Sequence, residues 1–262
     1  MQLVCLNVWG GKRFEALAHF LKGMAPETDI FCMQEVFYAE HQGLSETAEV
    51  RPNLLTELAE LLPRFAHTFA PLLLTHDLDP RGEKDVAMGP AIFSRAPLRS
   101  LGHGSVFVAG SLSELTISEA HPVGLLLHET FAVGSKQLTV ANVHGIATWP
   151  KSDTTLRLAQ SKHIREALNG LPGPKVLCGD FNLFPDTKSI AVLGHDLKNL
   201  MVEFNIQTTR STISREKYRG QAVHDTVSDY VFTSPGITPT TLKVPEVTVS
   251  DHLPLVLEFS LD

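Results

Sequence analysis

Apolar residues fall along this chain in short runs separated by turns, and the first run is apolar on both alternating faces. In Gln2-Leu-Val-Cys-Leu-Asn-Val-Trp9, Val4, Leu6 and Val8 share one side while Leu3 and Cys5 share the other. Successive strand residues point to opposite sides, so the pattern predicts a strand covered on both. The run 29–35 repeats it, and further strands are expected over 68–74, 86–94, 104–109, 123–133, 137–144, 176–178, 227–233 and 254–259. Spacings of three and four mark helices instead. Phe14, Leu17, Ala18 and Leu21 make one stripe within 12–24, and Leu54, Leu55, Leu58, Leu61 and Leu62 another within 53–62. A third helix starts at a cap on Ser152 or Asp153 and reaches Leu168; a short one lies near 187–193. Polar stretches 36–52 and Thr75–Asp85 read as loops. So does the basic segment carrying Arg210, Arg215, Lys217 and Arg219, because charge runs are usually solvated.

No repeat, low-complexity tract or linker interrupts this order. Strands covered on both faces require packed layers. The expectation is one domain over 1–262 of the α/β class: a four-layer α/β/β/α sandwich of two stacked, mixed or mainly antiparallel sheets with helices outside.

Composition narrows the class. Of 262 residues, 43% are hydrophobic and 19% charged, which excludes disorder. A net charge of -7 gives no global positive field to draw in long nucleic acid. The three cysteines, Cys5, Cys32 and Cys178, each sit inside an apolar run, as reduced core thiols do and zinc ligands do not. The first strand follows Met1 directly, leaving no room for a signal peptide, and no apolar run approaches the ~20 residues of a membrane span. A cytoplasmic protein with no obligate protein partner is expected.

The chemistry gathers where strands stop. Lys175-Val-Leu-Cys-Gly-Asp-Phe-Asn182 ends a buried strand with a carboxylate and an amide two residues apart, so both can reach one cleft. Taken alone, Asp-x-Asn there is also a common turn cap. Asn7, Glu35, His144 and the Asp251-His252 pair stand at or just past other strand ends, and ligand sites in layered α/β proteins collect at such ends. Carboxylate and amide oxygens suit a hard divalent cation such as Mg²⁺, whereas a zinc hydrolase would pair its histidines or thiolates. With an oriented water and a donor for developing charge, the set fits phosphoester hydrolysis. Glu35 is the foremost ligand candidate, with Asn7 and Asp251 beside it. His121, His128 and His163 read as structural.

Asn7 in Leu-Asn-Val-Trp, Gln34-Glu35, Asn142-Val-His144, Gly179-Asp-Phe-Asn182, Asp229-Tyr230 and Ser250-Asp-His-Leu-Pro254 resemble the ordered motifs of the endonuclease/exonuclease/phosphatase superfamily. That group is similar in fold to pancreatic deoxyribonuclease and includes abasic-site endonucleases, inositol polyphosphate phosphatases and neutral sphingomyelinases. The resemblance spans residues 7–254, and Met88–Arg95 and Arg157-x-x-Gln160 also look like family features. It implies that Glu35, with Asn7 and Asp251, holds Mg²⁺ or Mn²⁺. It implies further that Asp180 orients or deprotonates a water beside Asn182, and that His252, polarised by Asp229, contacts the scissile phosphate. His144 would stabilise the transition state or assist the leaving group. Trp9 stands where abasic-site endonucleases carry Asp, and Val227-Ser228 precede Asp229 where an Arg-x pair is common. The reaction type carries over; the substrate does not.

A phosphodiester is the expected substrate, from nucleic acid or a nucleotide. Sphingomyelinase-like or inositol-phosphatase-like hydrolysis is the alternative, and a catalytically silent binder of phosphorylated ligands is the reading from another class. Trp9, Trp149, Phe37, Tyr38 and Phe184 follow site candidates closely, so several aromatics are expected to rim one mouth as a seat for a flat or apolar group. Trp9, Trp149 and Arg157 are the candidate substrate-binding residues.

Overall fold

The first strand, β1 (Gln2–Asn7), is buried from Leu3 onward, and α1 (Phe14–Met24) packs Leu17, Ala18 and Leu21 inward before β2 (Ile30–Tyr38) returns parallel to it. The computed structural model describes residues 1–40, 50–78, 85–116, 119–221 and 226–262. Helix α2 (Leu54–Leu61) and strands β3 (Phe65–Phe69), β4 (Leu73–Thr75) and β5 (Val86–Arg95) come next. After β6 (Arg99–Ala109) and the two-residue β7 (Ser113–Glu114), β8 (Gly124–Val133) and β9 (Lys136–His144) form a hairpin. Helix α3 (Thr155–Asn169) leads to β10 (Lys175–Asp180). Four short elements follow: α4 (Lys188–Leu193), β11 (Lys198–Asn199), α5 (Leu200–Glu203) and α6 (Thr212–Lys217). The chain closes with β12 (Asp229–Thr233), β13 (Ile237–Lys243) and β14 (Leu255–Leu261).

Two sheets result. One runs β13-β14-β1-β2-β5-β4-β7 with β3 paired to β5, and the other β11-β12-β10-β9-β8-β6. The pairs β1–β2, β4–β7 and β9–β10 are parallel and the remaining described pairs antiparallel, so both sheets are mixed, as expected. The sheets stack through β1 on β10, β2 and β5 on β9, and β5 on β8. Helix α2 packs on β2 and β3, while α3 packs on β6 and α4. Phe31, Met33, Leu177 and Phe232 are buried on the outer faces of the sheets, each worth ~1.5–3 kcal/mol when removed from water, and the alternate residues of the same strands face the interleaf. Cys5, Cys32 and Cys178 lie there as free, buried thiols.

Several sequence expectations shift, each for a local reason. The strand expected to end at Glu35 continues to Tyr38 through a bulge. Met33 pairs with Ala91 and Val36 with Gly89, leaving Gln34 and Glu35 opposite Pro90 alone. Pro90 has no N–H to offer β2, and Glu35 takes a left-handed φ of 57° that re-aims its side chain. Asn142 on the facing sheet completes the bulge. Its amide nitrogen donates to the Met33 and Ala91 carbonyls at 2.9 and 3.0 Å, and its oxygen accepts from Gln34 at 2.5 Å.

The expected strand over 68–74 is two, β3 and β4, divided at Pro71. The third helix is capped by Thr154, whose hydroxyl accepts from the Arg157 amide; Asp153 instead caps α4, accepting from the Lys188 and Ser189 amides at 2.8 and 2.9 Å. Strand β13, rich in Thr and broken in register at Pro239, carried no readable pattern. Within the expected loops, 41–49 and 79–84 lie outside the described residues and 36–38 belong to β2.

One glycine fixes how closely the ends of β9 and β10 approach. A Cβ on Gly179, whose φ is 141°, would meet the Val143 carbonyl oxygen at 2.0 Å. Backbone cannot yield as a side-chain tip can, so Gly179→Ala should cost ~3 kcal/mol or more. Urea unfolding checks this; an unchanged midpoint would contradict the tight β9–β10 approach.

Candidate active site

Strand register assembles half of the site. His144 ends β9, Asp180 ends β10 beside it, and Asp229 opens the antiparallel β12 beside Asp180. Three functional side chains therefore stand in one row across the six-stranded sheet. The facing sheet supplies Asn7 from the end of β1 and Glu35 from the bulge in β2. Asp251 and His252, expected past a strand end, precede β14 instead. Because β14 is antiparallel to β1, the loop entering it lies at the same edge as the exit from β1.

Asn7 joins the two rows. Its amide nitrogen donates to Glu35 Oε1 at 2.9 Å and Asp180 Oδ2 at 3.1 Å, while its oxygen accepts from the Trp9 N–H at 3.0 Å. The Trp9 donor identifies which amide atom is oxygen. Asn7, expected as a metal ligand, is here a tie between two carboxylates with its oxygen already engaged. The tighter donor groups are Glu35, His144 and Asp180, and Asp180, Asp229 and His252, each with ligand atoms within 4.8 Å of one another. Asp251 belongs to neither set but lines the same cavity.

That cavity encloses about 410 Å³, the scale of a small-molecule site. Trp9, Phe37 and Trp149 line it, as does Tyr218. Phe184 meets Trp149 edge-on with ring centroids 6.4 Å apart, whereas Tyr38 turns away to Phe69. Trp149 is 62% exposed, so the mouth carries a large uncovered aromatic face. Trp9, Glu35 and Asn182 all hold left-handed backbone, with φ of 52°, 57° and 52°. Each such residue costs on the order of 1–3 kcal/mol, and their clustering around one cavity is how a site stores strain.

The charges are set by neighbours. Burial pushes the Glu35 carboxyl up, and the Asp251 carboxylate adds to the rise. Burial also opposes ionisation of Asp180, but His252, Lys151, His144 and Arg210 outweigh it and hold that carboxyl below the usual range. His252 donates from Nδ1 to Asp229 at 2.9 Å, and Asp229 is itself fixed by the Thr209 hydroxyl at 2.6 Å and the Ser228 hydroxyl at 3.0 Å. Arg210 Nη1 lies 2.7 Å from His252 Nε2 and must donate there, so in this arrangement the imidazole is neutral. Burial and Arg210 disfavour a proton on His252; Asp229, Asp180 and Asp251 together reverse that and raise its proton affinity.

His144 is buried, and its Nδ1 has no hydrogen-bond partner among the described residues. His121, read as structural from sequence, packs edge-on against it at 5.4 Å and lines the cavity. Burial lowers both to about 4, and His144 contributes to the lowering of His121. Both are therefore neutral at pH 7. Unfolded, each binds a proton below its ordinary 6.5, so the stability they contribute is complete above that value and lost as pH falls toward about 4. The limiting slope is ~2.7 kcal/mol per pH unit for two protons. Urea midpoints from pH 7 to 4 should show it, and His121→Gln should remove about half. An identical slope in that variant would contradict the assignment.

Sequence reasoning misplaced or missed four cations and their partners. Arg157, expected to bind substrate, is 1% exposed, and its guanidinium donates to the Asn182 carbonyl at 2.8 Å and the Thr148 carbonyl at 2.6 Å. It buttresses the strained Asn182 and the Trp149 loop from behind. Lys151 donates to Asn182 Oδ1 inside the cavity. Arg210 and Lys217, read as solvated, both line the cavity, and Arg210 is buried. Only the basic character of 210–219 hinted at this.

Solved structures share the fold. A Bacteroides thetaiotaomicron VPI-5482 mannosyl-6-phosphatase is 16% identical, with each chain covered in full and a TM-score of 0.72. A Leptotrichia buccalis C-1013-b endonuclease/exonuclease/phosphatase family protein is 17% identical, again with both chains covered in full, at 0.74. D. rerio TDP2 complexed with single strand DNA product is 14% identical at 0.71, covering 99% of this chain and 98% of that one. No curated protein matches by sequence. The profile of the Endonuclease/Exonuclease/phosphatase family matches residues 4–252, and the chain belongs to that family.

Proposed function

We propose that this protein hydrolyses phosphoesters with the help of a divalent cation, Mg²⁺ or Mn²⁺, by in-line attack of a water and without a covalent enzyme intermediate. The observation that carries the reading is the convergence of Glu35, Asp180 and His252, drawn from both sheets, on one cavity, with His144 and Asp229 clustered directly against them. The donors fit a hard cation: Glu35 is half-buried near Asp251 and Asp180, and their mutual repulsion is what a divalent charge would relieve. Glu35 and Asp180 would hold it, with Asp251 and the neutral His144 adjoining. When bound, such a cation polarises a phosphoryl oxygen and neutralises charge gathering on it.

The chain's own residues do the rest. Asp180, ionised and fixed through Asn7 and the Asn182 amide, orients the attacking water; a carboxylate held this acidic is a weak base. Asn182, held by Arg157, lies at its side. His252 presents Nε2 to the scissile phosphate while Asp229 holds the Nδ1 proton. His144 faces the cluster from the neighbouring strand as a neutral imidazole. Hydrolysis of p-nitrophenyl phosphate and bis-p-nitrophenyl phosphate by EDTA-treated protein tests this. Both reactions should be absent in EDTA, and at least one should return with Mg²⁺ or Mn²⁺. Silence across a panel of phosphoesters with either metal would leave a binder of phosphorylated ligands as the better reading.

The exposed Trp149, lining the same cavity as Trp9, supports a second reading, a nucleotide-type diester whose flat group rests on the mouth. Trp149→Ala should then lower the turnover of a nucleotide aryl diester relative to a small alkyl diester; equal ratios in both proteins would remove the idea. Relatives of this fold bear names of both kinds, a mannosyl-6-phosphatase and a TDP2 holding DNA product, so the ester class rests on this cavity's own residues.

A further inference from the structure

We infer that Arg210 and Lys151 form a clamp for a dianionic phosphate group, making a terminal phosphate monoester the preferred substrate of this site. The inference rests on the phosphoester hydrolase reading and specifies its substrate class. Arg210 is 4% exposed, makes no ion pair among the described residues, and leaves Nε buried without a hydrogen-bond partner. Its one side-chain hydrogen bond among the described residues is to the neutral His252 Nε2 at 2.7 Å. Lys151 likewise has no carboxylate partner among the described residues and rests on the Asn182 amide oxygen. Two cations thus face one cavity, close enough that Arg210, after burial itself, disfavours the Lys151 charge. Asp180 lies near enough for both to help hold it ionised, but the buried Arg210 and half-buried Lys151 lack a direct ion-pair partner among the described residues, and like charges facing one cavity are the complement of a bound anion.

Charge and oxygen count then separate the ester classes. Arg210, Lys151 and a bound divalent cation would offer three positive centres to one phosphate group. A diester has two non-bridging oxygens and one negative charge. A monoester has three and two, so one oxygen can face the Glu35–Asp180 side while the others reach Arg210 and Lys151. Arg210 suits this because its fork can hold a phosphate oxygen and His252 together. In the hydrolysis, water oxygen bonds to phosphorus, the ester P–O bond breaks, and the alcohol leaves carrying a proton, giving inorganic phosphate.

The test is calorimetric titration of wild type in Mg²⁺ with inorganic phosphate and with dimethyl phosphate, repeated in Arg210→Met and Lys151→Gln. Phosphate should bind at least ~10-fold tighter than dimethyl phosphate, and each variant should lose at least ~10-fold in phosphate affinity, the worth of one charge-assisted contact. Turnover of p-nitrophenyl phosphate should fall further than that of the bis ester in both variants. Lys151→Gln is the second variant should Arg210→Met unfold, and the wild-type comparison needs neither. Equal binding of the two anions, no phosphate binding, or variants that keep it would overturn the clamp. Tight phosphate binding without metal-dependent hydrolysis would keep the clamp and refute the hydrolase.

Discussion

Glu35→Gln should lower phosphoester turnover at least ~10³-fold in saturating Mg²⁺ or Mn²⁺, since several kcal/mol of charge stabilisation is at stake and each 1.36 kcal/mol is tenfold. The same substitution should stabilise the metal-free protein. Burial, then Asp251, raises the Glu35 carboxyl in the folded state. Folded protein therefore holds the proton where unfolded chain has released it, and stability falls as pH rises from the ordinary carboxylate value of 4.5 through the raised one. Glutamine keeps the shape and the contact with Asn7 without the charge. Thermal unfolding in EDTA and in Mg²⁺ reads both effects: the wild type should gain stability from the cation and the variant should not. A variant that turns over normally, or still responds to Mg²⁺, would remove Glu35 from the centre of the site.

His252→Ala should cost at least ~10² in turnover, the usual contribution of a positioned acid or base. The imidazole is the last member of a buried chain from Ser228 and Thr209 through Asp229, and its far nitrogen lies 3.7 Å from Asp180. Truncation removes the imidazole that faces the scissile phosphate and leaves Asp229 buried at 2% exposure without its main partner. Stability should fall too, so urea midpoints must accompany the kinetics. Asp229→Asn separates the two causes. It keeps the packing but no longer favours the Nδ1–H tautomer, and it should lose turnover with a smaller loss of stability. Wild-type rates in His252→Ala would contradict the assigned role.

The layering was legible because β1, β2 and β10 are apolar on both faces, a pattern only a two-sided cover explains. Asp180 is legible for the same reason, being the first polar residue after such a run, and His144 as the histidine that ends an alternating one. Glu35 does not end its strand as the apolar run suggests; it is turned inward by a bulge opposite Pro90, which no local pattern announces. Asp251 and His252 precede a strand, and only the antiparallel pairing of β14 with β1 brings them to the common edge. Arg210 was misread as solvated because its burial depends on His252, 42 positions away. Arg157 was misassigned because the carbonyls it holds lie on the Trp149 and Asn182 loops, whose meeting is a tertiary fact.

The most direct test of the convergence on one cation-dependent cleft is a crystal soaked in Mn²⁺ and measured for anomalous scattering. An anomalous peak against the Glu35 carboxylate, inside the cavity that Asp180 and His252 share and absent from Glu35→Gln crystals, is the predicted result. A peak elsewhere, with the Glu35 cavity unoccupied in metal-activated protein, would contradict it.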